Sequence, residues 1–245
     1  VFIQEAMFDE EIFDKIPENF CLMSWNIFKI DHKRTELFNK YIQATHDEHN
    51  IDIFCLQESK YSDATTFPIS KFHINFASNI ALKNHDYGVT TASHIPTKKN
   101  IRILTTHKES VINTHKASLI SHFSFGKQTL IIVNIHAINF KSNKVYEYEF
   151  ERIKEFLNLK NNKNPIIIAG DFNTWNRTRI KLIKDFCREF NFKVAFLDGK
   201  ELIKSFQNNP LDFVLYRDLK LEKALALDCN KISDHNPIIT YFSKD

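Results

Sequence analysis

The stretch PIIIAGDFNTWN (residues 165–176) runs an apolar strand straight into Gly170, Asp171 and Asn173. A strand this apolar is normally covered on both faces, so Asp171 is expected at its end, on the rim of the fold. Other strand ends carry similar residues: Asn26 in SWN, Glu58 in LQES, His136 in NIHAIN, and Asp234–His235 in SDHNP. Asp212 opens the strand LDFVLY. The set contains carboxylates, amides and two histidines, with no serine or cysteine in an obvious nucleophile setting. Hard oxygen donors suit Mg²⁺, Mn²⁺ or Ca²⁺ rather than zinc. A Mg²⁺ held by one or two carboxylates keeps positions for water and phosphate oxygens, which is an arrangement for phosphoryl chemistry.

These residues must be gathered by the elements that carry them. The apolar or alternating runs FCLMSWN, DIFCLQE, YGVTTAS, SLISHFSF, QTLIIVNIH, PIIIAGD, LDFVLY, LEKALAL and PIITYF read as strands. Three long segments show the helical period: residues 33–49 with Leu37, Phe38, Tyr41 and Ile42 on one face; 146–159 with Tyr146, Phe150, Ile153 and Leu157; and 175–190 with Ile183, Phe186 and Phe190. A short fourth helix is expected around Phe8–Ile12. Gly126 reads as a hairpin turn and Gly199 as a turn. At Gly170 a side chain is expected to crowd whatever Asp171 faces. The two halves echo each other: MSWN, a helix, then DIFCLQE; VNIH, a helix, then PIIIAGDFN. Two such units face to face would gather their strand ends at one edge, where α/β sheets bind ligands. The expected fold is α/β, a four-layer α/β/β/α sandwich of two packed mixed β-sheets flanked by helices.

The 245 residues allow one large domain or two small ones, and the expected division is an acidic segment over 1–19 followed by a single domain over 20–245. Residues 1–19 carry a charge of −5 within a chain of +3, leaving a basic body of +8 that suits an anionic partner. Cys21, Cys55, Cys187 and Cys229 are widely spaced, which points to free thiols and a reducing compartment. No apolar run reaches the roughly 20 residues that span a bilayer. No leader pattern is visible, so a cytoplasmic location is expected, with export as the alternative for a chain that starts at Val1. A monomer is expected.

W-N, L-Q-E, N-x-H, G-D-F-N, L-D-F and S-D-H-N-P, in this order, resemble the endonuclease/exonuclease/phosphatase (DNase I-like) superfamily. That superfamily includes DNase I, exonuclease III, inositol polyphosphate phosphatases and bacterial sphingomyelinases. GDFNTWNRTR with LDFVLYRDL is similar to its YafD-type bacterial branch. The resemblance implies that Glu58 is the main metal ligand, with Asn26 and Asp234 nearby. It implies that Asp171 orients or deprotonates the attacking water and that Asn173 hydrogen-bonds the scissile phosphate. His235, held by Asp212, would stabilise the phosphorane charge, and His136 would contact the phosphate or assist the leaving group. A carboxylate beside His235 would favour imidazolium, which suits that task.

Each residue alone has a plainer reading. Asp171 or Asn173 could cap the following helix. His136 could be a satisfied core histidine, and Asp212 a turn acid. The loops after the motifs repeat rings and cations: Phe28 and Lys29; Phe140 and Lys141; Trp175, Arg177 and Arg179. Lys29, Arg177, Trp175 and, more weakly, Lys116 are therefore candidates for substrate binding. The sequence favours a nuclease acting on DNA or RNA with Mg²⁺. A phosphodiesterase or phosphatase for phospholipid or inositol head groups is the alternative, and a non-catalytic binding module of the same fold is the third reading.

Overall fold

A computed structural model describes residues 15–30, 33–109 and 113–245. The expected helix at Phe8–Ile12 and most of the acidic segment lie outside the described residues. In chain order the elements are β1 (Asn19–Asn26), α1 (Thr35–His49), β2 (Ile53–Tyr61), β3 (His73–Ala81), β4 (Asp86–Ser93), β5 (Lys99–Leu104), β6 (Ala117–Phe125), β7 (Gln128–His136), α2 (Asn143–Leu157), β8 (Ile166–Asp171), α3 (Arg177–Phe190), β9 (Lys193–Val194), β10 (Ser205–Phe206), β11 (Asn209–Pro210), β12 (Asp212–Arg217), β13 (Lys220–Ala226) and β14 (Ile238–Ser243).

One sheet runs β13-β14-β1-β2-β4-β3 and the other β5-β6-β7-β8-β12-β9, with β10 and β11 forming a separate small hairpin. The sheets pack through an apolar middle layer that includes Leu22, Ile53, Ile132, Ile167 and Val214. Helix α1 covers the outer face of the first sheet, burying Phe38 and Ile42 against Met23 and Trp25. Helices α2 and α3 cover the second through Tyr146, Phe150, Ile183 and Phe186. The result is the expected four-layer sandwich. Leu37 departs from the helix expectation. It is 58% exposed, because the buried stripe of α1 runs through Phe38, Ile42 and Thr45 instead. The reading also passes over β3 and β5. Both lie next to only one strand at a sheet edge, where polar residues break the alternation that marks a half-buried strand.

The echo between the halves is a structural repeat. Strands β1 and β2 pair in parallel across α1, and β7 and β8 pair in parallel across α2. Their carboxyl ends meet at one edge of the sandwich. Gly170 makes this possible, though not in the way expected. A Cβ there would lie 2.0 Å from the Ile135 carbonyl oxygen of β7, and its φ is +144°. The glycine thus permits close approach of two backbones rather than relieving the face of Asp171. Gly170→Ala is expected to lower stability by roughly 3 kcal/mol or more, read as the urea midpoint. Among the described residues, no helix is long and apolar enough to cross a membrane. The four cysteines are buried and free.

Candidate active site

Strand register places the key residues side by side. Along β7, β8 and β12 the inward-facing rows run Ile132–Ile167–Tyr216, then Asn134–Ala169–Val214, then His136–Asp171–Asp212. The apolar layer therefore turns polar at its last row, where the sheet meets the rim. All three residues of that row are buried. From the opposite sheet, Asn26 ends β1 and donates its Nδ2 to Asp171 Oδ2 at 3.0 Å. The backbone N–H of Asn173 donates to Asp171 Oδ1 at 2.9 Å, so both carboxylate oxygens are held. Neither Asp171 nor Asn173 is a helix cap. Asn176 caps α3, accepting from the Arg179 N–H at 3.0 Å. The Asn173 amide donates to the Ala137 carbonyl at 2.9 Å, which ties the loop after β8 to the loop after β7.

Glu58 reaches the same space through a bulge. Gln57 faces inward and donates to Asn134 Oδ1 at 2.8 Å. Strict alternation would send Glu58 outward, towards α1. The pairing of β2 with β4 slips between Leu56 and Ser59, and Glu58 takes left-handed backbone at φ 52°. The extra residue turns its carboxylate inward. There it lies 3.7 Å from His136 Nε2 and 4.0 Å from the ammonium groups of both Lys29 and Lys116.

Electrostatics separate the two histidines. His235 Nδ1 meets Asp212 Oδ2 at 2.8 Å. Burial opposes charge on its ring, yet Asp212 and Asp171 outweigh that and raise its pKa to about 9. His235 is therefore an imidazolium at neutral pH. The loop that carries it is pinned to β1: Trp25 Nε1 donates to its carbonyl at 2.8 Å and Ser233 Oγ to that of Asn26 at 2.7 Å. His136 goes the other way. Burial and then the charges of Lys116, His235 and Lys29 push it well below the ordinary imidazole range, so it is neutral. Burial and the nearby Asp212 raise the pKa of Asp171. A carboxylate shifted upward is a stronger base than one free in water. Its Oδ2 lies 3.7 Å from His136 Nε2 and 3.9 Å from His235 Nε2, a small gap lined by one base, one neutral imidazole and one cation.

Above this floor opens a cavity of about 610 Å³. Lys29, Lys116 and Trp175 line it, as the loop pattern suggested. Lys116 is more central than expected. It is buried, with its ammonium 3.6 Å from Glu109 Oε2. Glu109 had no sequence signal, since it sits in a loop without periodicity. It is nonetheless buried in the cavity wall and accepts from the Asn139 N–H at 2.7 Å. Lys204 and Phe206 were also missed, because they are brought in by the small β10–β11 hairpin. Arg177 stands exposed at the start of α3, outside the cavity wall. Arg179 is not a surface cation at all. It is fully buried, donating to the carbonyls of Ile138 (3.0 Å), Asn173 (2.8 Å) and Lys141 (2.8 Å), and its guanidinium stacks between Tyr146 and Trp175. It fell on the helix's apolar stripe with Ile183, Phe186 and Phe190, a signal the sequence did contain. Arg179→Met would strand two buried carbonyls and a third that is partly buried. A loss of roughly 3 kcal/mol or more is expected in chemical denaturation.

Residues 23–235 match the model of the Endonuclease/Exonuclease/phosphatase family. The chain belongs to the endonuclease/exonuclease/phosphatase family. It is 31% identical over 231 residues to a UPF0294 protein of Erwinia tasmaniensis, covering 90% of this chain and 80% of that one, which places it in the YafD-type branch. An endonuclease/exonuclease/phosphatase family protein from Leptotrichia buccalis has the same fold. Its TM-score is 0.69 at 15% identity, over 91% of this chain and 99% of that one. So does D. rerio TDP2 complexed with single-strand DNA product, with a TM-score of 0.64 at 12% identity, over 92% and 99% of the two chains.

Enzymes of this family hydrolyse phosphoesters and commonly use divalent metals. The donor set here fits such an ion. Glu58 is only 17% exposed, and the described residues bring no hydrogen bond to either of its oxygens; the Lys29 and Lys116 ammonium groups stand at 4.0 Å and the neutral His136 Nε2 at 3.7 Å. Among the described residues Asn26 Oδ1 accepts only the Phe28 N–H, at 3.0 Å, which leaves it a second lone pair. Asp234 lines the same cavity but is paired with Lys204 at its more exposed side. Asp171, Asp212 and His235 also offer ligand atoms within 4.8 Å of one another. That trio already contains its cation, the His235 imidazolium, so Glu58 is the better seat for a metal.

Proposed function

We propose that this chain is a Mg²⁺-dependent phosphodiester hydrolase whose substrate is nucleic acid, with Mn²⁺ or Ca²⁺ as possible substitutes. The observation that carries the reading is Asp171, held on both oxygens and raised in basicity, facing a His235 imidazolium across 3.9 Å. Glu58 and Asn26, with Asp234 at the rim, would hold the ion. When bound, it supplies positive charge to the phosphate and lowers the pKa of a coordinated water. Asp171 orients the attacking water and takes its proton as the new P–O bond forms. His235 meets the charge that builds on the phosphoryl oxygens, and Asp212 keeps it protonated. Asn173, its amide fixed by Ala137, has a second N–H for a phosphate oxygen. Neutral His136 donates a hydrogen bond to the phosphate or to the departing oxygen. Lys116 and Lys29 add positive charge beside Glu58. Positioning and charge stabilisation are most of what phosphoryl transfer requires. Four buried free thiols support a cytoplasmic, reducing setting.

A second reading, hydrolysis of a phospholipid or inositol head group, draws on the exposed rings of Phe28, Phe140 and Phe206 at the cavity. Supercoiled plasmid incubated with the wild type and with Asp171→Ala, in Mg²⁺, Mn²⁺ or EDTA, separates the two. Metal-dependent nicking that is absent in the variant and falls steeply with salt supports the nuclease. Intact plasmid, with metal-dependent release of head group from phosphoinositide or sphingomyelin vesicles, replaces it with the second reading.

A further inference from the structure

The mouth of the cavity carries a feature that phosphoester hydrolysis by itself does not call for. Phe28, Phe140 and Phe206 line the cavity while 48%, 59% and 51% exposed. They arrive from three separate places: the loop after β1, the loop after β7, and the β10–β11 hairpin. Phe28 and Phe140 both hold left-handed backbone, at φ 47° and 46°. Bulky L-residues avoid that region. Here it is fixed locally, by the Phe28 N–H on Asn26 Oδ1 at 3.0 Å and the Phe140 N–H on Asn139 Oδ1 at 2.9 Å. Backbone held in such conformations clusters at ligand clamps and active sites. Trp175, also in the cavity wall, is braced from behind by the Arg179 guanidinium at 4.7 Å.

We propose that these rings form an aromatic clamp for unpaired bases, so that the chain cuts single-stranded nucleic acid in preference to duplex. The inference rests on the nuclease reading above and names the form of the substrate. Two observations favour it. The catalytic floor is sunk below the rings: Asp171 is 3% exposed and His235 5%, while the rings above them are about half exposed. A scissile phosphate must descend past the rim. A flexible single strand can do so with its neighbouring bases splayed outward, whereas bases paired in a duplex must first be unstacked, at an energetic cost. Stacking on aromatic faces is also tolerant of sequence, as a general single-strand site requires. The same wall carries Lys29 and Lys204 for flanking phosphates.

The test compares one labelled oligonucleotide as a single strand, as a blunt duplex, and as a duplex with a single-stranded overhang. Wild type, Phe28→Ala, Phe206→Ala and the double variant are each assayed with Mg²⁺. Binding of the same oligonucleotides is read by anisotropy in an Asp171→Asn background, and melting curves confirm folding. The clamp predicts cleavage of the single strand, and of the overhang rather than its duplex stem. It also predicts that the variants weaken single-strand binding on the order of tenfold to a hundredfold, with a smaller loss for duplex. Equal cleavage of single strand and duplex, lost in Asp171→Ala, would overturn the clamp and leave the nuclease standing. A single-strand preference unchanged in the double phenylalanine variant would also overturn it. No cleavage of any oligonucleotide, together with Asp171-dependent hydrolysis of phospholipid vesicles, would overturn both.

Discussion

Asp171→Asn is expected to reduce turnover on the order of 10³-fold while leaving the protein as stable as the wild type, or more so. The substitution keeps the shape and removes the ability to take a proton. Its stability effect has the opposite sign because of where the carboxylate sits. Burial and the neighbouring Asp212 raise the folded-state pKa of Asp171 above its unfolded value. Such a group favours folding when protonated, below the unfolded pKa, and loses that contribution as pH rises through the folded one. At neutral pH the ionised carboxylate is therefore a net cost that an amide removes. The amide oxygen can accept from Asn26 or from the Asn173 N–H but not both in their present geometry, which offsets part of the gain. Melting temperature in EDTA, measured beside kcat, checks the pair of outcomes. A large drop in melting temperature would mean that Asp171 holds the loops together rather than acting as the base.

Asp212→Asn is expected to move the alkaline limb of the pH–rate profile. In the wild type His235 loses its proton near pH 9, so activity that needs the imidazolium falls there. Without the Asp212 charge, burial acts with much less opposition. The limb then shifts towards or below the ordinary imidazole value of about 6.5. At pH 8 the variant is expected to lose on the order of tenfold to thirtyfold or more in turnover as the protonated fraction falls, with recovery as pH is lowered. Stability carries the same signature. A histidine raised in the folded state contributes fully below its unfolded pKa near 6.5 and loses that contribution as pH rises through about 9. Urea midpoints across that window should decline in the wild type and stay flatter in Asp212→Asn. An alkaline limb that does not move would remove His235 from the reaction.

The expected gathering of strand ends is met by register. His136, Asp171 and Asp212 form one row across three strands because β7, β8 and β12 are paired without a slip. Their residue types and strand positions were readable, since alternation and apolar runs are local properties of a chain. The failures also have local causes. RTRIKLIK offered two arginines that look alike as surface cations. Their difference, two positions on a helix, puts Arg177 in solvent and Arg179 in the core. Lys116 looked like a marginal candidate because nothing near it in sequence announces Glu58 or Glu109.

By itself, then, the sequence determined the layers, the two β–α–β units, and the acids, amides and histidines that end their strands. These follow from periodicity and from the order of short motifs, both written within a few residues. Tertiary structure alone decided which way those groups point and what charge they carry. The bulge that turns Glu58 inward exists only in the pairing of β2 with β4. One histidine is protonated because Asp212 and Asp171 outweigh its burial, and the other is neutral because burial, with Lys116, His235 and Lys29 nearby, disfavours its charge. Such charges depend on burial and on neighbours far apart in the chain, and folding must bring those neighbours together before they act on each other.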